Sequence, residues 1–157
     1  MSVLQQNLDK LTITAGVATA AVTSTATSSA IDLLEYDGDV LLILDSAAGG
    51  GSSPTLDIKL TESDASGGTY TDLSGATFTQ VTGSASMQTL VINKDTSKRY
   101  IKIVQTIGGS SPTFTFSINL VGVKKYSQQY VALFLGLFFY GFYRRFKYIF
   151  SRFRRYC

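Results

Sequence analysis

Residues 1–125 predict an all-β fold, an antiparallel β-sandwich or jelly roll of about eight strands. Two stretches alternate strictly between apolar and polar residues. Leu56, Ile58 and Leu60 interleave with Asp57, Lys59 and Thr61, and Phe114, Phe116, Ile118 and Leu120 interleave with Thr115, Ser117 and Asn119. A period of two puts each apolar set on one face of a half-buried strand. Turn-forming clusters also recur along the chain: Tyr36-Asp37-Gly38-Asp39, Gly49-Gly50-Gly51-Ser52-Ser53-Pro54, Ser66-Gly67-Gly68, Thr82-Gly83-Ser84 and Gly108-Gly109-Ser110-Ser111-Pro112. Short strands punctuated this regularly belong to sandwiches and jelly rolls.

The elements follow in order. Residues 11–14 alternate and open the series. Residues 15–29 are rich in Ala, Thr and Ser without a strong period, and read either as an edge strand or as an arm lying on a neighbour. Residues 30–35 form the next strand. Val40-Leu41-Leu42-Ile43-Leu44 is a continuous apolar run, which suits a central strand covered on both faces. Residues 56–61, 77–81, 89–93, 100–106 and 114–120 complete the set. Pro54 and Pro112 stand at strand entrances, where a missing N–H is tolerated. The two Gly/Ser loops before them look alike, which reflects similar turn chemistry. Leu42, Leu44, Leu56, Ile58, Leu60, Phe78, Leu90, Ile101, Ile103, Phe114, Phe116 and Ile118 are the expected core.

The chain changes character at Lys124. Residues 1–123 carry 11 Asp/Glu and 6 Lys/Arg, a net of −5; residues 124–157 carry 8 Lys/Arg and no acid, and −5 + 8 gives the overall +3. Of the 19 aromatics (9 Tyr and 10 Phe), 13 lie between Tyr126 and Tyr156. The expected organisation is therefore a sandwich domain over 1–125 and a basic, aromatic anchor segment over 126–157. Within that segment Phe139, Phe142, Phe146, Ile149, Phe153 and Tyr156 recur at alternating spacings of 3 and 4, one face of a helix. Arg144, Arg145, Lys147, Arg152, Arg154 and Arg155 supply its cations. The uncharged run 130–143 would span about 21 Å as a helix, short of the ~30 Å hydrocarbon core. An interfacial anchor fits better than a full span. Residues 130–156 could thus contact a membrane, fill a groove on a protein partner, fold back over the sandwich or, less favoured, stack on and neutralise nucleic acid.

Catalysis finds little support. There is no histidine, hence no imidazole base. Cys157 is the one cysteine, so no intrachain disulfide is expected, and no zinc or other metal site and no cofactor. The N-terminus lacks a basic n-region and an apolar h-region, so no signal peptide is expected and synthesis in a cytoplasm follows. Asp37/Asp39 and Glu62/Asp64 are the closest carboxylate pairs; they read as solvated turn residues, with a weak Ca²⁺ site as the sharper alternative. Tyr36, Tyr70 and Tyr100 are candidates for a sugar-stacking platform.

Residues 55–78 resemble a recurrent pattern in tailed-phage head-decoration (cement) proteins. There Thr55-Leu56-Asp57-Ile58-Lys59-Leu60-Thr61 runs through Ser63-Asp64-Ala65-Ser66-Gly67-Gly68 into Tyr70-Thr71-Asp72-Leu73. Lys98-Arg99-Tyr100-Ile101-Lys102-Ile103, with its following Gly/Ser loop and alternating last strand, fits the same pattern, as do Ala30-Ile31-Asp32-Leu33 and Tyr36-Asp37-Gly38. The likeness covers about residues 27–125; the segment after Tyr126 departs from it. It implies a small β-sandwich without catalytic residues that sits on a capsid lattice and ties coat subunits together. Its expected partners are the major capsid protein and further copies of itself, a trimer being favoured. Its expected place is the virion, after synthesis in the host cytoplasm. The same hairpin pattern also resembles discoidin-like carbohydrate modules, which leaves a carbohydrate-recognition, receptor-binding module as the alternative.

Overall fold

The computed structural model describes residues 10–125; the expected helical anchor at 130–156 lies outside them. The described chain is an antiparallel β-sandwich of eight strands: β1 (Leu11–Val22), β2 (Ala26–Thr27), β3 (Ile31–Asp32), β4 (Tyr36–Ser46), β5 (Gly50–Ser63), β6 (Thr71–Thr77), β7 (Ser86–Ile92) and β8 (Tyr100–Lys124). A 3₁₀ turn, Leu33–Glu35, joins β3 to β4. Sheet I runs β1, the C-terminal half of β8, β4, β7; sheet II places β2 and β3, then the N-terminal half of β8, then β5 and β6. Strand β8 belongs to both sheets.

The inner faces meet over the alternating sets. Leu42, Leu44, Leu56, Leu60, Ile101, Ile103, Phe114, Phe116, Ile118 and Leu120 are fully enclosed, and Ile58 and Phe78 nearly so. Leu90, expected in the core, is half-buried at its margin. Leu33, Tyr36, Val40, Ala76, Val81 and Ile92 complete it. Each such Leu, Ile or Phe contributes about 1.5–3 kcal/mol by leaving water.

Several expected boundaries move. Residues 15–22 continue β1 as an edge strand, with bulges between Ala15 and Ala20. Of 30–35 only Ile31 and Asp32 pair in a ladder. The Asp32 carboxylate then accepts from the Leu34 amide at 2.9 Å and starts the 3₁₀ turn, the local competition that Asx side chains offer. Residues 77–81 do not form a strand. β6 ends at Thr77, and the chain stays against β5 through Phe78 N–H to the Ile58 carbonyl and a single bridge between Leu56 and Val81. Tyr36–Asp39 is no turn between strands but the bulged start of β4.

The largest correction concerns the two Gly/Ser loops. The first opens in the connection between β4 and β5, but from Gly50 on both lie inside strands, β5 and β8, and pair with each other, Gly50 opposite Thr113, Ser52 opposite Ser110 and Thr55 opposite Gly108. Gly51 (φ 98°), Ser53 (φ 50°), Gly109 (φ 113°) and Ser111 (φ 49°) adopt left-handed backbone, and bulges of this kind bend a strand without ending it. The likeness of the two loops is therefore the likeness of two sides of one corner. A Cβ on Gly51 would lie 2.5 Å from the Ser111 carbonyl oxygen, and one on Gly109 2.7 Å from that of Ser53. Gly109→Ala and Gly51→Ala should each cost about 1–3 kcal/mol, read as a fall in melting temperature. Gly83→Ala, with ordinary φ and nothing near its Cβ, should be close to neutral.

Candidate interaction surfaces

The expected anchor positions, Phe139, Phe142, Phe146, Ile149, Phe153 and Tyr156 with Arg144, Arg145, Lys147, Arg152, Arg154 and Arg155, lie outside the described residues. The sandwich itself presents two outer faces of opposite chemistry.

Sheet I presents an apolar face. The register places Ile13 opposite Val121, Val121 opposite Leu41 and Leu41 opposite Val91. One straight apolar row therefore crosses all four strands. Cross-strand neighbours like these are within contact distance. Leu11 and Val123 flank the row on one side and Ile43 on the other, with Met87 one row further, beyond Thr89. Ile13 is 70% exposed, Met87 73%, Val91 61% and Leu11 42%; Leu41, Ile43, Val121 and Val123 are half-buried. Charge is confined to the ends of this face: Asp37 pairs with Val123 at one end, and Asp45 with Met87 at the other. The run at 40–44 thus has one covered side, with Val40, Leu42 and Leu44 inside, and one side turned outward. A two-sided apolar strand signals burial on both faces, and only half of that burial is present among the described residues.

Sheet II presents a polar face. Lys102 places its ammonium 4.2 Å from the Tyr70 ring centroid, and the Tyr70 hydroxyl donates to the Ser66 carbonyl at 3.0 Å. Arg99 lies 4.8 Å from the Tyr100 ring. Lys59 pairs with Asp72 at 2.8 Å across β5 and β6, and Gln80 donates to Asp57 at 2.9 Å. Of the three tyrosines expected to form a sugar platform, Tyr36 is a core residue, 1% exposed. It sits on the inner side, against Gly122. Tyr70 and Tyr100 are half-buried, each with a cation already on a ring.

Asp37, Asp39 and Asp64 are exposed, and Glu62 accepts from the Lys98 amide at 2.8 Å. Among the described residues no group of three or more His, Cys, Asp or Glu is placed to hold a metal ion.

No family model matches the sequence, and no curated protein matches it. Several solved structures are similar to part of the chain. A chain of infectious bursal disease virus, Gx strain, is 11% identical with a TM-score of 0.49, over 71% of this chain and 31% of that one. The SPBc2 prophage-derived protein YomS is 15% identical with a TM-score of 0.43, over 71% and 95%. The CBM22-1–GH10 modules of a Clostridium thermocellum xylanase are 12% identical with a TM-score of 0.45, over 76% and 27%. The chain thus spans under a third of the viral and xylanase chains it matches. At these values the likenesses carry nothing about function.

One ion pair ties the strand edges of sheet II together. Arg99 donates to Asp32 through Nε at 3.1 Å and Nη2 at 2.8 Å. These bonds hold the Asp32 carboxyl below its ordinary value, against the opposing effect of burial, and the Leu34 amide adds to the lowering. A carboxylate lowered in the folded state stabilises above its unfolded pKa, and that stability is lost as pH falls through the folded pKa. Asp32→Asn should therefore lower the melting temperature at pH 7. The gap from the parent protein should close below about pH 4, as thermal melts across pH 2–8 would show.

Proposed function

We propose that this chain is a structural virion protein, a capsid decoration or cement component. Its sandwich bridges neighbouring coat subunits, and residues 126–157 attach it to the shell or an associated membrane. The observation that carries the reading is the uncharged apolar row on the outer face of sheet I. A rigid sandwich free in water gains nothing from such a face, whereas one seated in an assembly buries it. The resemblance of residues 55–78 and 98–103 to head-decoration proteins supports the finer reading; these residues form the β5–β6 hairpin and the start of β8. The partners on this reading are the major capsid protein and further copies of the chain, and the anchor is the face Phe139, Phe142, Phe146, Ile149, Phe153 and Tyr156 with its cations.

The alternative, carbohydrate recognition, has less to stand on, since one tyrosine is buried and the other two are engaged. A glycan array and mass spectrometry of purified particles separate the two readings. Specific sugar binding without particle association would replace the virion reading.

Truncation after Lys125 should leave the sandwich folded by circular dichroism yet lower particle occupancy several-fold. Phe146→Ser with Phe153→Ser should act in the same direction. An apolar attachment should survive 0.5 M salt, whereas one made through phosphates should weaken steeply. Full, salt-resistant occupancy by the truncated chain would remove the anchoring role.

A further inference from the structure

The chain contains one Asp-Gly pair, Asp37-Gly38, and no asparagine precedes a glycine. A main-chain amide nitrogen can attack the side-chain carbonyl of an Asp that precedes it. A side chain on the attacking residue hinders the approach, and glycine has none. Every other Asp is followed by a residue with a Cβ, as Asp39 is by Val40 and Asp95 by Thr96.

The reaction also needs a backbone that no ladder holds straight, and the start of β4 supplies one. Tyr36 and Val40 are enclosed in the core, whereas Asp37, Gly38 and Asp39 between them are exposed. Asp37 faces Val123 in the ladder with β8, but the next pair is Leu41 with Val121. Residues 38–40 therefore stand against Gly122 alone. On the other side the ladder with β7 begins only at Val40. Neither neighbouring strand gives Gly38 a ladder partner. Its φ is 75°, and a Cβ there would meet nothing within 4 Å.

The carboxylate is equally free. Asp32, Asp57 and Asp72 are held by Arg99, Gln80 and Lys59. Asp37 has no hydrogen bond or ion pair of its side chain among the described residues.

We propose that Asp37-Gly38 is a site of spontaneous backbone isomerisation, an ageing site built into the bulge of β4. The Gly38 amide nitrogen attacks Cγ of the Asp37 carboxyl group. An N–Cγ bond forms and a Cγ–O bond breaks. The amide proton and the hydroxyl leave together as water, and the product is a five-membered succinimide. Solvent water then opens the ring. Cleavage of the N–Cγ bond returns Asp. Cleavage between the nitrogen and the main-chain carbonyl carbon gives isoaspartate, whose chain runs through Cγ. The water lost in the first step is regained in the second, and no oxidant or reductant is consumed.

The isomer adds one carbon to the main chain between Tyr36 and Val40. That is where β4 fastens the end of β8: Tyr36 faces Lys124 in the ladder, and the Lys125 amide donates to the Glu35 carbonyl at 2.9 Å. Isomerisation loosens this fastening. The inference goes beyond the virion reading and does not depend on it.

The test is to hold the full chain at 37 °C for several weeks and map isoaspartate by fragmentation mass spectrometry. It should accumulate at Asp37 roughly tenfold faster than at Asp39 or Asp64, which are as exposed but precede residues with a Cβ. In oxygen-18 water each isoaspartate should carry one labelled oxygen. Asp37→Asn should react faster still, releasing ammonia, while the exposed Asn93 stays intact. Aged parent protein should melt a few degrees below fresh protein. Asp37→Glu, which would have to close a six-membered ring, should melt alike fresh and aged. An Asp37→Asn variant that lasts as long at that position as at Asn93 would overturn the site. So would isoaspartate appearing as early at Asp39 or Asp64. Equal melting of fresh and aged parent, with isoaspartate present, would overturn the loosening.

Discussion

The pairing of β8 is the constraint on which the rest of the sandwich depends. Its 25 residues provide ladder partners for β1, β2, β3, β4 and β5, and its inward residues, from Ile101 to Leu120, supply the middle of the core. Buried N–H and C=O groups must be paired, and a strand shared by two sheets meets this only if it turns from one to the other without losing its ladder. The corner at 108–112 does so by lying directly against 50–54. Left-handed Gly109 and Ser111 on one strand answer left-handed Gly51 and Ser53 on the other. Both bends are needed together, since each backbone occupies space that a Cβ on the facing glycine would need.

That geometry also sets the two faces apart. Once β8 crosses over, its outward residues Val121 and Val123 belong to sheet I, and Tyr100 and Lys102 to sheet II. A single strand thus carries an apolar outward half and a polar outward half. The acidic balance of residues 1–123 is spent mostly away from the apolar row. Asp32, Glu35 and Asp72 are engaged by Arg99, Lys124 and Lys59, and Asp57 by Gln80.

The alternating stretches were the legible part of the sequence. Period 2 placed Leu56, Ile58, Leu60, Phe114, Phe116 and Ile118 inside, because one side of a strand in a sandwich has nowhere else to go. The corner was not legible in this way. Gly-Gly-Ser-Ser-Pro carries the same local chemistry whether the chain reverses or merely bends, and only the facing strand decides between them. The likeness of the two loops was visible, but its meaning depended on a pairing between residues more than fifty positions apart. Tyr36 misled for a related reason. It follows an acidic 3₁₀ turn and precedes Asp37-Gly38-Asp39, a polar setting in sequence, yet it lies in phase with Val40, Leu42 and Leu44 and turns its ring inward against Gly122. The apolar row was half legible: the run 40–44 announced a two-sided strand, but its alignment with Ile13, Val121 and Val91 required the register.

The place of β8 in the order of synthesis has a consequence of its own. Its partners β1 to β5 leave the ribosome first, and β1 must wait about a hundred residues for residues 114–123 to arrive. Only β4 with β7, and β5 with β6, can form ladders in the meantime. Contacts of such sequence separation make folding slow and leave strand edges exposed while it proceeds. Until β8 is complete, the edges of β1, β4 and β5 that it pairs stand open.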